Sequence, residues 1–99
     1  MTLDLNADTF QLHIGKTFKV SGVDHVLMLR SVDQREIEPW EADILTTAPF
    51  TLVFSAPSGR VLAEGLHTLE LEDGATATLY VMPIHTPNPS RQDYQSVFN

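Results

Sequence analysis

Gly65-Leu66-His67-Thr68-Leu69-Glu70-Leu71-Glu72-Asp73-Gly74-Ala75-Thr76-Ala77-Thr78-Leu79-Tyr80-Val81-Met82-Pro83-Ile84 is the stretch that decides the fold. Apolar side chains recur at every second position on both sides of Asp73-Gly74. That spacing is the mark of two antiparallel strands joined by a tight reversal. Phe50-Thr51-Leu52-Val53-Phe54-Ser55 shows the same alternation one strand earlier, and Ala56-Pro57-Ser58-Gly59 closes it with turn chemistry. The strand at 75–84 carries apolar residues on both faces: Leu79 and Val81 on one, Tyr80, Met82 and Ile84 on the other. This pattern predicts a covered or closed sheet.

Outward from this core, Asn6 to Gly15 reads as a helix of about two turns. Asn6 caps its free N–H groups, Asp8 suits the positive end of the dipole, and Gly15 takes the left-handed stop. Phe10 and Ile14, four apart, are expected on one face. Thr17 to Val20 follows as a strand with Phe18 and Val20 inward, and Gly22 to Asp24 as a turn. In the next strand, His25 to Val32, alternation fails. Either Leu27 and Leu29 face inward with a β-bulge near Arg30 and Ser31 bringing Val32 to the same side, or Val26, Met28 and Val32 form the core set. Residues 33–48 have no period. They crowd Asp33, Glu36, Glu38, Glu41 and Asp43 around Pro39-Trp40. Thr86 to Ser90 contains two prolines and excludes regular structure, and Arg91 to Phe98 returns as a last strand.

Six strands with mostly short turns predict a mainly β, small antiparallel six-stranded barrel or curled meander with one short N-terminal helix. Residues 1–99 read as a single domain, within the common domain size. A 42% hydrophobic and 19% charged composition belongs to a folded globular chain.

The formal charge of −7 argues against nucleic acid as a partner, because the six Lys and Arg are scattered at positions 16, 19, 30, 35, 60 and 91. With no cysteine there is no disulfide frame, thiol nucleophile or Cys-based zinc site. No apolar run approaches the ~20 residues of a membrane-spanning helix. The start, Met1-Thr2-Leu3-Asp4-Leu5-Asn6, lacks the pattern of a secretory signal, which leaves a cytoplasmic protein as the expectation.

Chemistry is sparse. His13, His25, His67 and His85 have no metal-ligand spacing, so neither a metal nor a cofactor is expected. Glu70 and Glu72 could hold a cation, but a solvated strand face explains them better. No Gly-x-Ser-x-Gly and no Gly-rich phosphate loop occurs, so no catalytic residue is assigned. The interaction candidate is Glu38-Pro39-Trp40-Glu41, where Trp40, flanked by Glu38 and Glu41, would anchor a partner. The competing reading, in which Trp40 folds back to plug the core, carries slightly more weight in a small protein with a single Trp.

Several motifs together resemble a family of short bacterial proteins catalogued as a domain of unknown function. They are Asp8-x-Phe10, Gly15-x-Thr17-Phe18, Phe50-x-Leu52-x-Phe54 with Pro57, Gly65 before Leu69-Glu70, Val81 to Pro83, and the terminal Tyr94-x-x-Val97-Phe98-Asn99. The acidic Trp loop departs from the family's pattern. The resemblance implies a small all-β protein, associated with phage-tail-like contexts, with no functional residue to carry over. The resulting expectation is a non-enzymatic protein-interaction or assembly module that docks a protein partner or self-associates. The alternative is a small-ligand-binding barrel or an enzyme with its site inside the curl, where His67 and Tyr80 would be the polar groups.

Overall fold

The Asp73-Gly74 reversal forms, as a three-residue loop. The Gly74 N–H donates to the Leu71 carbonyl at 2.9 Å, and the Leu71 N–H to the Ala75 carbonyl at 2.8 Å. Gly74 sits at φ 90, which L side chains resist. This is a type I turn followed by a left-handed residue. The Asp73 carboxylate locks it by accepting from the Ala75 N–H at 2.9 Å.

The computed structural model describes residues 1–34, 38–40, 49–57 and 59–98. It contains one helix, α1 (Ala7–Gln11), and six strands. The strands are β1 (Thr17–Val20), β2 (Val26–Gln34), β3 (Phe50–Pro57), β4 (Gly65–Glu70), β5 (Thr76–Ile84) and β6 (Arg91–Phe98). They close into an antiparallel barrel whose ring order is β1-β2-β3-β6-β5-β4. This is not one continuous meander. Two three-stranded meanders, β1-β2-β3 and β4-β5-β6, are joined by the β3–β6 and β1–β4 pairings. Exchanging one trio for the other leaves the ring unchanged. The reason lies after β3: Gly59–Glu64 is too long for a tight hairpin and instead carries Leu62 into the core, where it is buried.

The alternation places side chains as the sequence expects. Phe18 and Val20 of β1, Phe50, Leu52 and Phe54 of β3, Leu69 of β4 and Leu79 and Val81 of β5 are buried. In β2 the register shifts between Leu29 and Ser31, which is a bulge. Leu27 and Leu29 are therefore fully buried before it, and Val32 packs on the core after it. Of the two readings of this strand, the bulged one holds.

The N-terminal segment closes one end. The Asn6 carboxamide oxygen accepts from the Thr9 N–H at 2.8 Å. The helix lasts only five residues, Ala7–Gln11. Ile14 therefore lies beyond it and is exposed, not aligned with Phe10. Gly15 at φ 88 turns the chain, and its N–H reaches the Leu29 carbonyl at 2.8 Å. Phe10 is fully buried against a parallel stack formed by Phe50 and Phe98, whose centroids are 4.5 Å apart. Its own ring lies 6.5 Å from Phe50 and 6.4 Å from Phe98.

Phe10→Ala is expected to cost about 3–5 kcal/mol, the usual range for a buried aromatic truncated without collapse. Equilibrium urea unfolding would show this as a lower midpoint at unchanged slope. A loss under about 1 kcal/mol would mean the helix is not part of the cooperative core.

Candidate interaction site

The outer surface of β4 and β5 is where alternation leaves apolar groups in water. The register sets Leu66 opposite Tyr80 and His67 opposite Leu79. Leu66 and Tyr80 therefore share the outer face, while His67 takes the inner parity with Leu69. Leu66 is 71% exposed and Tyr80 is 45% exposed. The closed sheet expected from β5 is present and covers its inner face, while on the outer face Met82 and Ile84 are half-buried and Tyr80 is open.

His67 and Tyr80, the two polar groups expected to line an interior site, belong to opposite faces. Each is used to hold the crossover between β3 and β4. The His67 Nε2 lies 2.7 Å from the Ala63 carbonyl. The Tyr80 hydroxyl donates to the Glu64 carboxylate at 2.5 Å. That bond, then partial burial and the negative charge of Glu64, push the Tyr80 pKa above its ordinary 10.0. The barrel interior between the strands is filled by aliphatic and aromatic side chains, including Tyr94.

Pro39 and Trp40 form a turn, and Trp40 is 70% exposed. The core-plug reading of Trp40 is overturned, because Phe10, Phe50 and Phe98 already fill that kind of position. Glu38 is exposed beside it. Glu41 lies outside the described residues, as do most of positions 33–48.

The remaining histidines do not converge. His13 stands edge-on to Phe18 at 6.5 Å, the His25 Nε2 lies 3.1 Å from the Arg60 carbonyl, and His85 is exposed. Among the described residues no three His, Asp or Glu come together as metal ligands would. Glu70 is exposed opposite Lys19 across the β1–β4 pairing, and Glu72 is also exposed. A cleft of about 350 Å³ is lined by Gly15, Lys16, Thr17, Leu71, Glu72 and Asp73. It offers a single apolar side chain, Leu71, and opposed charges, unlike the mostly apolar lining of a small-molecule pocket.

Arg91 pairs with Asp93 at 2.9 Å and Arg60 approaches Asp24 at 3.9 Å. Each of these two cations thus sits beside an acid. Among the described residues no helix is long and apolar enough to cross a membrane.

Leu66 did not stand out in the sequence, although a signal was present. It is apolar on the face that otherwise presents Thr68 and Glu70, out of phase with buried Leu69.

A family model described as a domain of unknown function matches residues 5–98. No curated protein and no solved structure matches the chain.

The Tyr80 bond has a readable pH signature. Ionisation of Tyr80, followed by ultraviolet difference spectra against Tyr80→Phe, is expected above pH 10.0, and Glu64→Gln should lower it. Because the folded value is raised, the bond's stabilisation is complete below the unfolded value and disappears as pH climbs through the folded one. A Tyr80 titration unchanged by Glu64→Gln would remove Glu64 as its cause.

Proposed function

The chain belongs to the DUF6916 family, a domain of unknown function, and we propose that it works as a non-enzymatic protein-interaction or assembly module. Its surface for this is the exposed indole of Trp40 together with the Leu66–Tyr80 pair. One observation carries the reading: Trp40 is 70% exposed in a chain with a single Trp. Leaving so large an aromatic surface in water forgoes the burial that such a residue ordinarily contributes, and tryptophan is enriched where partners dock.

The Leu66–Tyr80 pair supports the same reading from a rigid platform. Cross-strand pairing holds both side chains at fixed spacing, so little ordering entropy is lost on contact. Ring closure directs docking to faces and loops, since a closed barrel leaves little strand edge for an added strand. The chain's acidity favours a partner with basic groups near its apolar anchor. The setting we propose is a bacterial cytoplasmic assembly, of a phage-tail-like kind, with the module self-associating or held by another protein.

An interior ligand site or enzyme centre is the weaker reading, because His67 and Tyr80 face opposite sides and both already hold hydrogen bonds.

Trp40 also reports on its own engagement, being the sole Trp. Light scattering behind size-exclusion chromatography, run across a dilution series, should show association, with Trp40 emission moving to shorter wavelength as complexes form. Trp40→Ala or Leu66→Ser should weaken association about tenfold or more, the scale of a docking hot spot. A strict monomer at every concentration, with no co-purifying partner, would argue heavily against the proposal.

A further inference from the structure

The crossover Gly59–Glu64 is held differently from everything around it. None of its residues takes part in a strand register. Among the described residues no main-chain to main-chain hydrogen bond reaches it. Instead, side chains from four strands or their edges reach it one residue at a time. His25, just before β2, lies with Nε2 3.1 Å from the Arg60 carbonyl. The Tyr94 hydroxyl of β6 accepts from the Leu62 N–H at 2.9 Å, in a buried bond. His67 of β4 meets the Ala63 carbonyl at 2.7 Å, and Tyr80 of β5 meets the Glu64 carboxylate. Between these fastenings a single side chain, Leu62, is 3% exposed, while Val61 beside it is 54% exposed.

We propose that Gly59–Glu64 is a strap that opens as one unit while the six strands stay paired, uncovering the apolar socket that Leu62 fills. Strand ladders protect each other cooperatively, because breaking one pairing exposes the next. A segment fastened by side chains has no such neighbour to wait for. Three of its four fastenings are exposed, where water competes for each bond and the net contribution is small. The buried Tyr94–Leu62 bond and the Leu62 side chain therefore set the opening equilibrium between them. Gly59, at φ 141, supplies a backbone position that L side chains rarely adopt at one end, and Gly65, at φ 153, supplies the other. The strap thus begins at one positive-φ glycine and ends against another, Gly65, the first residue of β4.

The test is native-state amide hydrogen exchange, followed by NMR on the full chain, for wild type, Tyr94→Phe and Leu62→Ala. In wild type the Leu62 amide should exchange at least about tenfold faster than the β3 and β6 amides of Leu52 and Ser96, with little dependence on low urea. Tyr94→Phe should speed it roughly a further tenfold, because the N–H loses its acceptor. Leu62→Ala should speed exchange at position 62 in the same direction. In both variants the strand amides should keep their rates relative to global unfolding. The proposal is overturned if the amide at position 62 exchanges at the strand rate with the strand urea dependence in all three proteins. It is equally overturned if both variants accelerate strap and strands together.

Discussion

The pairing of β3 with β6 is the seam from which the rest of the barrel hangs. Eight consecutive register pairs run from Phe50↔Phe98 to Pro57↔Arg91, more than in any other strand pair described. They connect the last strand of one meander to the last strand of the other. Without them the two trios would be separate three-stranded sheets, each with one apolar face in water. The opposite seam, β1 with β4, is made by only two pairs, Lys19↔Glu70 and Val20↔Leu69. It can be that short because β3–β6 has already brought the trios together. The residues of β3–β6 are far apart in sequence, so this contact must wait for loop closure and is the expected slow step of folding.

The two tyrosines show how the same residue type serves opposite sides of one sheet. Tyr94 puts its ring in the core, fully buried, and its hydroxyl accepts from the main chain at Leu62. Tyr80 lies on the outer face and donates its hydroxyl to Glu64, two residues further along the same crossover. A buried phenol needs a partner for its polar tip, and an exposed one gains order from having one. Together they clasp the crossover from inside and outside. The mechanical consequence is that, among the described residues, the part of the chain which turns a meander into a barrel is secured by side-chain bonds and not by a main-chain ladder.

Much of this was legible because its causes are local. Asp73-Gly74 has turn chemistry that does not depend on context, and the Leu27, Leu29 and Val32 spacing can reach one face only through a bulge. The β6 boundaries emerged at Arg91–Phe98 because prolines end the preceding segment. Where reading failed, tertiary structure was deciding. Phe10 and Ile14 have helical spacing, but the helix stops at Gln11 because Gly15 must reach the β2 backbone at Leu29. Trp40 looked able to plug the core, yet Phe10 and the Phe50–Phe98 stack occupy that role. The candidate site was half legible: Trp40 stood out by type, while Leu66 and the pairing that sets it beside Tyr80 did not.

The sequence by itself determined that the chain is β-rich, where its strands lie, which face of most strands is apolar, and that its surface is acidic. Periods of two and turn residues act over a few positions, and water enforces them wherever a strand lands. Only the tertiary structure decided that β3 skips its neighbour in sequence to pair with β6. It alone also decided that His67 and Tyr80 bond to the crossover from opposite faces, and that Leu66 and Trp40 remain in water. Those outcomes depend on which surfaces meet across long loops, and strand alternation is the same whichever partner a strand finds.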